Sequence, residues 1–176
     1  MARLATLARW TGTTTATTLF DSDVDEFTDG GCFCCVRGRP RVALVVFTAD
    51  GDAFGVFFAR AVAAQSEVTK DPGVFVFSLE SHGRCATPQR FGVRREFRRS
   101  VWVLFYEGDR WTGRFAEVGL SGYGCLYVGN ERSATSCGGL SRIVEGIEET
   151  TLAGSSGGGA DPHAFRCVRL IAVHLA

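Results

Sequence analysis

"VALVVFTADGDAFGVFFA", residues 42–59, decides the fold class. β-Branched and aromatic side chains fill both flanks, and Ala-Asp-Gly-Asp interrupts them at 49–52. Such side chains suit a pleated, half-buried surface, and Asp-Gly supplies the positive φ angles of a two-residue primed turn. The stretch therefore predicts a β-hairpin turning at Asp50 and Gly51. Downstream, "GVFVFSLE" at 73–80 sets Phe75 and Phe77 on one face and Val74 and Val76 on the other, a strand buried on both sides. "VWVLFYEGDRWTGRFAEVG" (101–119) reads as strand, Glu-Gly-Asp turn and strand. "GYGCLYVG" (122–129) is another strand, and "AFRCVRLIAVHLA" (164–176) a closing, largely buried one. No long helical pattern separates these runs, so parallel crossovers have no room and the sheet is mainly antiparallel.

The remaining segments are less regular. "MARLATLARWTGTTTATTLF" (1–20) has two arginines and no acid, as a mitochondrial presequence has, but Trp10 and the threonine run favour an early helical turn followed by a strand. "RAVAAQSEV" (60–68) is a candidate short helix, and residues 153–160 form a Gly/Ser loop. A length of 176 residues suits one domain spanning 1–176, with its core expected at about residues 10–175. Mean hydropathy is +0.08, and no apolar run approaches the roughly 20 residues of a membrane helix, so membrane insertion is not expected. Basic and acidic residues number 19 each, which leaves no overall footprint for nucleic acid. Seven cysteines, an odd number without a secretory signal, imply free thiols and a cytoplasmic location.

"LFDSDVDEFTDGGC" (19–32) tests calcium binding. Counted from Asp21, the EF-hand glycine position holds Glu26 and the bidentate glutamate position holds Cys32. Asp21, Asp23 and Asp25 are thus read as Asx-turn residues that cap backbone N–H groups, and they are the candidates for any irregular cation site. Cys32, Cys34 and Cys35 have C-x-C-C spacing, which does not suit closed zinc sites, although nearby Arg37 and Arg39 leave thiol reactivity open. No nucleophile elbow or phosphate loop is complete: "GLSGYG" has the wrong spacing, and "GSSGGG" lacks the Lys-Ser/Thr. No catalytic residue and no cofactor is therefore expected. Arg90, Arg94, Arg95, Arg98 and Arg99 form the dense positive cluster, read as a solvated edge strand or loop. Of these, Arg94, Arg95, Arg98 and Arg99 are the candidate contacts for an acidic protein partner. Nucleic acid is not expected, because Phe91 and Phe97 are needed in the core.

Taken in order, Trp10, "LFDSDVD", "VALVVFTADGDAFGVFF", "GVFVFSLE", "GCLYVGN" and "FRCVRLIAVHLA" resemble the TLDc domain, in the short divergent form that stands alone in some unicellular eukaryotes. "FGVFF" at 54–58 and "FVFSL" at 75–79 carry the likeness best, whereas "AVHLA" departs from the usual Val-Trp ending. The resemblance implies a strand-rich α+β fold: two antiparallel sheets packed as a β-sandwich, with a few short peripheral helices. Val45, Phe54, Phe75 and Phe77 are expected between the sheets. It also implies a non-enzymatic interaction module in oxidative-stress protection, with the vacuolar-type proton ATPase as a partner. The alternative is a cation-binding or thiol-reactive module built on the acidic loop or the cysteine cluster.

Overall fold

The computed structural model describes residues 2–106, 114–120, 123–129, 135–136, 139–148, 150–153 and 164–176. Helix α1 (Ala2–Thr11) leads into strand β1 (Ala16–Asp21), helix α2 (Asp29–Val36), and the hairpin strands β2 (Val42–Thr48) and β3 (Ala53–Phe58). Strands β4 (Thr69–Lys70), β5 (Phe75–Glu80) and β6 (Gln89–Gly92) follow, then a 3-10 turn at Arg95–Phe97. Strands β7 (Val101–Phe105), β8 (Arg114–Leu120), β9 (Tyr123–Gly129) and β10 (Thr135–Ser136) precede helix α3 (Leu140–Ile143). Strands β11 (Ala164–Phe165) and β12 (Cys167–Leu175) close the order. The fold is a strand-rich α+β sandwich. One sheet runs β1-β12-β2-β3-β5-β6 and the other β11-β10-β9-β8-β7-β4, and the paired strands are antiparallel throughout.

The hairpin forms, but not with a two-residue primed turn. Gly51 N donates to the Thr48 carbonyl at 3.0 Å, and Thr48 N donates to the Asp52 carbonyl at 3.0 Å. Asp52 N is left to bond Thr48 Oγ1 at 3.1 Å. Within 49–52 only Gly51 has a positive φ, 88°, so this is a three-residue loop ending in a left-handed glycine bulge. The threonine hydroxyl satisfies the N–H that the bulge frees. That extra partner is what the dipeptide Asp-Gly cannot reveal.

Strand alternation then divides the core. Leu44, Val46, Phe54, Val56, Val76, Leu170 and Ala172 face the second sheet, where they meet Val101, Val103, Phe105, Leu126 and Phe165. Phe54 packs edge-on against Phe165 with ring centroids 4.9 Å apart, a direct seam between the sheets. Phe54 is thus between the sheets, as expected. Val45, Phe75 and Phe77 are buried too, yet on the opposite face, because Val45 pairs with Gly55 and Gly55 with Phe77, one register position away from Leu44, Val56 and Val76. That outer face is covered by α1, whose Leu4, Leu7 and Trp10 recur at helical spacing, with Leu7 fully buried. The packed unit therefore extends back through α1.

Two helical readings change. Residues 60–68 form no helix, since their backbone serves other elements: Val62 O accepts from Gly38 N at 2.9 Å, Ala63 O from Arg37 Nε at 3.1 Å, and Ser66 N donates to Phe105 O at 2.7 Å. Helix α2 instead arises in the cysteine segment. Thr28 caps it by accepting from Gly31 N, and Cys32, Phe33 and Val36 enter the inter-sheet core. Gly31 has no space for a side chain, because a Cβ there would lie 2.9 Å from the Glu26 carbonyl oxygen. The Glu-Gly-Asp turn at 107–109 and residues 154–160 of the Gly/Ser loop lie outside the described residues. Among the described residues, no helix is long and apolar enough to cross a membrane.

Candidate functional site

The arginine cluster starts on the edge strand β6, and the chain then turns a corner. Val93 bridges to Val144, Arg94 N donates to Ile143 O at 2.8 Å, and the 3-10 turn carries the chain into β7. This geometry separates the five arginines. Arg94 is half-buried: its Nη2 donates to Ser141 O at 3.2 Å, and its buried Nε has no partner. Arg94 therefore ties α3 to the corner after β6 and, being half-buried, does not share the exposure of Arg95, Arg98 and Arg99. Arg95, Arg98 and Arg99 are exposed and, with Pro72 and Glu96, line a shallow depression. Arg98 Nε donates to Val93 O at 3.1 Å, while none of the three forms an ion pair among the described residues. Arg90 belongs elsewhere, with its guanidinium carbon 4.6 Å from the centroid of the Phe75 ring and its Nη1 donating to Trp10 O at 2.9 Å. Phe91 is buried and Phe97 packs against the inter-sheet core, so neither is available for base stacking.

The acidic loop is closed by Arg169 of β12. Arg169 Nε and Nη2 donate to the two oxygens of Asp21 at 2.9 and 2.5 Å, and Nε lies 3.0 Å from Asp23 Oδ2. Asp21 Oδ1 also accepts from Asp23 N at 3.1 Å, and Asp25 Oδ2 from Asp21 N at 2.8 Å. These are the local caps the spacing implies. Hydrogen bonding to Arg169 holds the Asp21 carboxyl below its ordinary range against a smaller opposing effect of burial, and the same bond raises Arg169. Among the described residues, no group of three or more His, Cys, Asp or Glu is placed to hold a metal ion.

The thiols lie differently along α2. Cys32 is buried, Cys35 half-buried and Cys34 exposed. Burial pushes Cys32 well up and Cys35 up, and it takes Cys167 to about 12, each a shift away from the reactive thiolate.

One polar cluster escapes sequence reasoning. Buried Asp52, beside the hairpin turn, accepts from Arg84 Nη2 at 2.6 Å, and its Oδ1 also lies 2.9 Å from His82 Nδ1. Arg84 continues to Leu152 O at 3.0 Å. An aspartate orienting an imidazole is the support a general base needs. Here Arg84 shares the same oxygen, so the cluster clamps the two turns together. The residues are 30 apart, and only the β3–β5 pairing, with Ala53 opposite Glu80, joins them.

No protein-family model matches the chain, and no curated protein matches it.

Proposed function

We propose that this chain is a non-enzymatic, TLDc-like interaction module of the cytoplasm that serves oxidative-stress protection by binding an acidic protein surface, with the vacuolar-type proton ATPase as the partner. The observation that carries this reading is the exposed corner of Arg95, Arg98 and Arg99, none ion-paired among the described residues, on a chain of zero net charge. A local positive field of this kind steers and selects acidic partners even where overall charge is balanced. The motif order from Trp10 to "FRCVRLIAVHLA" supports the family, and the two-sheet architecture agrees with it, although a shared fold alone transfers no function.

The test is an affinity pull-down from the source cell across a salt series, comparing the native chain with Arg95→Glu plus Arg99→Glu, probed for proton-ATPase subunits. Both positions are exposed, so the variant is expected to melt like the native chain yet lose the partner, with recovery by the native chain falling as salt rises. Equal recovery by both proteins at every salt concentration overturns the reading.

A further inference from the structure

Arg41 adopts φ of 58°, in the left-handed region that non-glycine residues occupy only under constraint. Its peptide is held on both sides: Arg41 N donates to Ala59 O at 3.1 Å, and Arg41 O accepts from Leu175 N at 3.0 Å. Its guanidinium reaches the end of α1, where Nη2 donates to Thr11 O at 2.7 Å, next to the Trp10 carbonyl that Arg90 holds. Two cations from separate elements thus meet at one helix C-terminus, the end whose dipole favours positive charge. Neither pairs with a carboxylate among the described residues, and a guanidinium retains further donors after one such bond.

Beside these guanidiniums the surface drops into a depression of about 280 Å³. At its base lie the rings of Phe57 and Phe75, stacked with centroids 4.8 Å apart and both buried, with Arg90 over the Phe75 ring, and half-buried Trp10 stands at its wall. We propose that this depression is a socket for one apolar, best aromatic, side chain of an acidic peptide segment, whose neighbouring carboxylates pair with Arg41 and Arg90. The half-buried Trp10 ring at the wall calls for an apolar group, and the two guanidiniums call for anions beside it. The volume is below the roughly 300–1,000 Å³ of small-molecule sites and suits a single large side chain. A chain fits better than a free molecule for another reason. Gly73 lines this socket and the adjoining Pro72 lines the depression of Arg95, Arg98 and Arg99, so acids further along the segment meet further cations. The proposal deepens the reading of the chain as a module for an acidic partner, and it rests on that reading.

The experiment titrates the full chain with a labelled, end-blocked peptide, Glu-Asp-Phe-Asp-Glu, following fluorescence anisotropy and backbone amide shifts. The phenylalanine peptide is expected to bind about tenfold or more tighter than its alanine counterpart, with amide shifts centred on Ala59 and Gly73. Arg41→Gln with Arg90→Gln is expected to lower affinity by a similar factor. Because both arginines also hold α1, the shift map of the native chain decides the matter even where that variant unfolds. Equal affinity of the two peptides, or shifts that bypass Ala59 and Gly73, overturns the socket. Equally tight binding of free 3-phenylpropionate overturns the peptide as its occupant. Intact socket binding with charge-independent pull-down recovery removes the partner reading alone, and the converse removes the socket alone.

Discussion

The Asp21 carboxylate meets Arg169 through both its oxygens, and its folded pKa therefore lies below the ordinary value. A depressed carboxylate contributes stability that is complete above the unfolded value of about 3.9 and is lost as pH falls through the folded one. Asp21→Asn is expected to cost about 1 kcal/mol at neutral pH, after allowance for solvent screening of a partly exposed pair. Thermal melts from neutral to acid pH check this: the gap from the native chain should narrow below about pH 3.9, and a constant gap would contradict it. The same carboxylates are already engaged with Arg169 and backbone N–H groups, so about millimolar calcium should leave the melting temperature unchanged. A rise that disappears in Asp21→Asn with Asp23→Asn would overturn that. Gly55 presents the opposite case, a residue constrained by space alone. A Cβ there would lie 1.8 Å from the Leu44 carbonyl oxygen and 2.9 Å from the Phe77 ring. Gly55→Ala should cost at least the roughly 1–3 kcal/mol of an overpacked core, read as a lower denaturation midpoint. The caps around Asp21 were legible in the sequence because donor and acceptor lie within four residues. The clamp of Asp52, His82 and Arg84 was not, because strand pairing alone brings it together.

Among elements, α1 is the one whose weight is least visible in its own composition. Its mean pattern is short and weak, yet Leu7 is fully buried on the sheet face formed by Val45, Phe57, Phe75 and Phe77. Leu7→Ala should cost about 2–5 kcal/mol and Phe77→Ala about 3–5 kcal/mol, both measured by chemical denaturation. The two substitutions act on one cluster, so their double variant should show coupling rather than simple addition. Strands were legible because alternation is written into each segment: β2, β3, β5 and β12 fall where their apolar runs predict. Which face each side chain occupies was not, because a strand buried on both sides offers no polar face to orient it. Helix α2 failed for a different reason. Gly30, Gly31 and three cysteines carry little helix propensity, so tertiary burial of Cys32, Phe33 and Val36 decides its conformation.

At the scale of the whole molecule, balanced charge hides an uneven distribution. Asp21 and Asp23 are spent on Arg169 and Asp52 on Arg84, while Arg41, Arg90, Arg95, Arg98 and Arg99 have no ion-pair partner among the described residues. Charge reversal at the exposed corner should thus change partner capture without changing the melting curve. The first sheet also has a peculiarity of order: β12 lies between β1 and β2, with Ala16 opposite Leu175 and Val42 opposite His174. During synthesis, β1 has no neighbour to hydrogen-bond until residues 167–175 have left the ribosome. The nascent domain must wait with its first strand unpaired, and such long-range closure slows folding. A chaperone that shields this waiting strand should therefore raise the yield of protein folded during translation, whereas a stall just before residue 167 should leave β1 open to proteases.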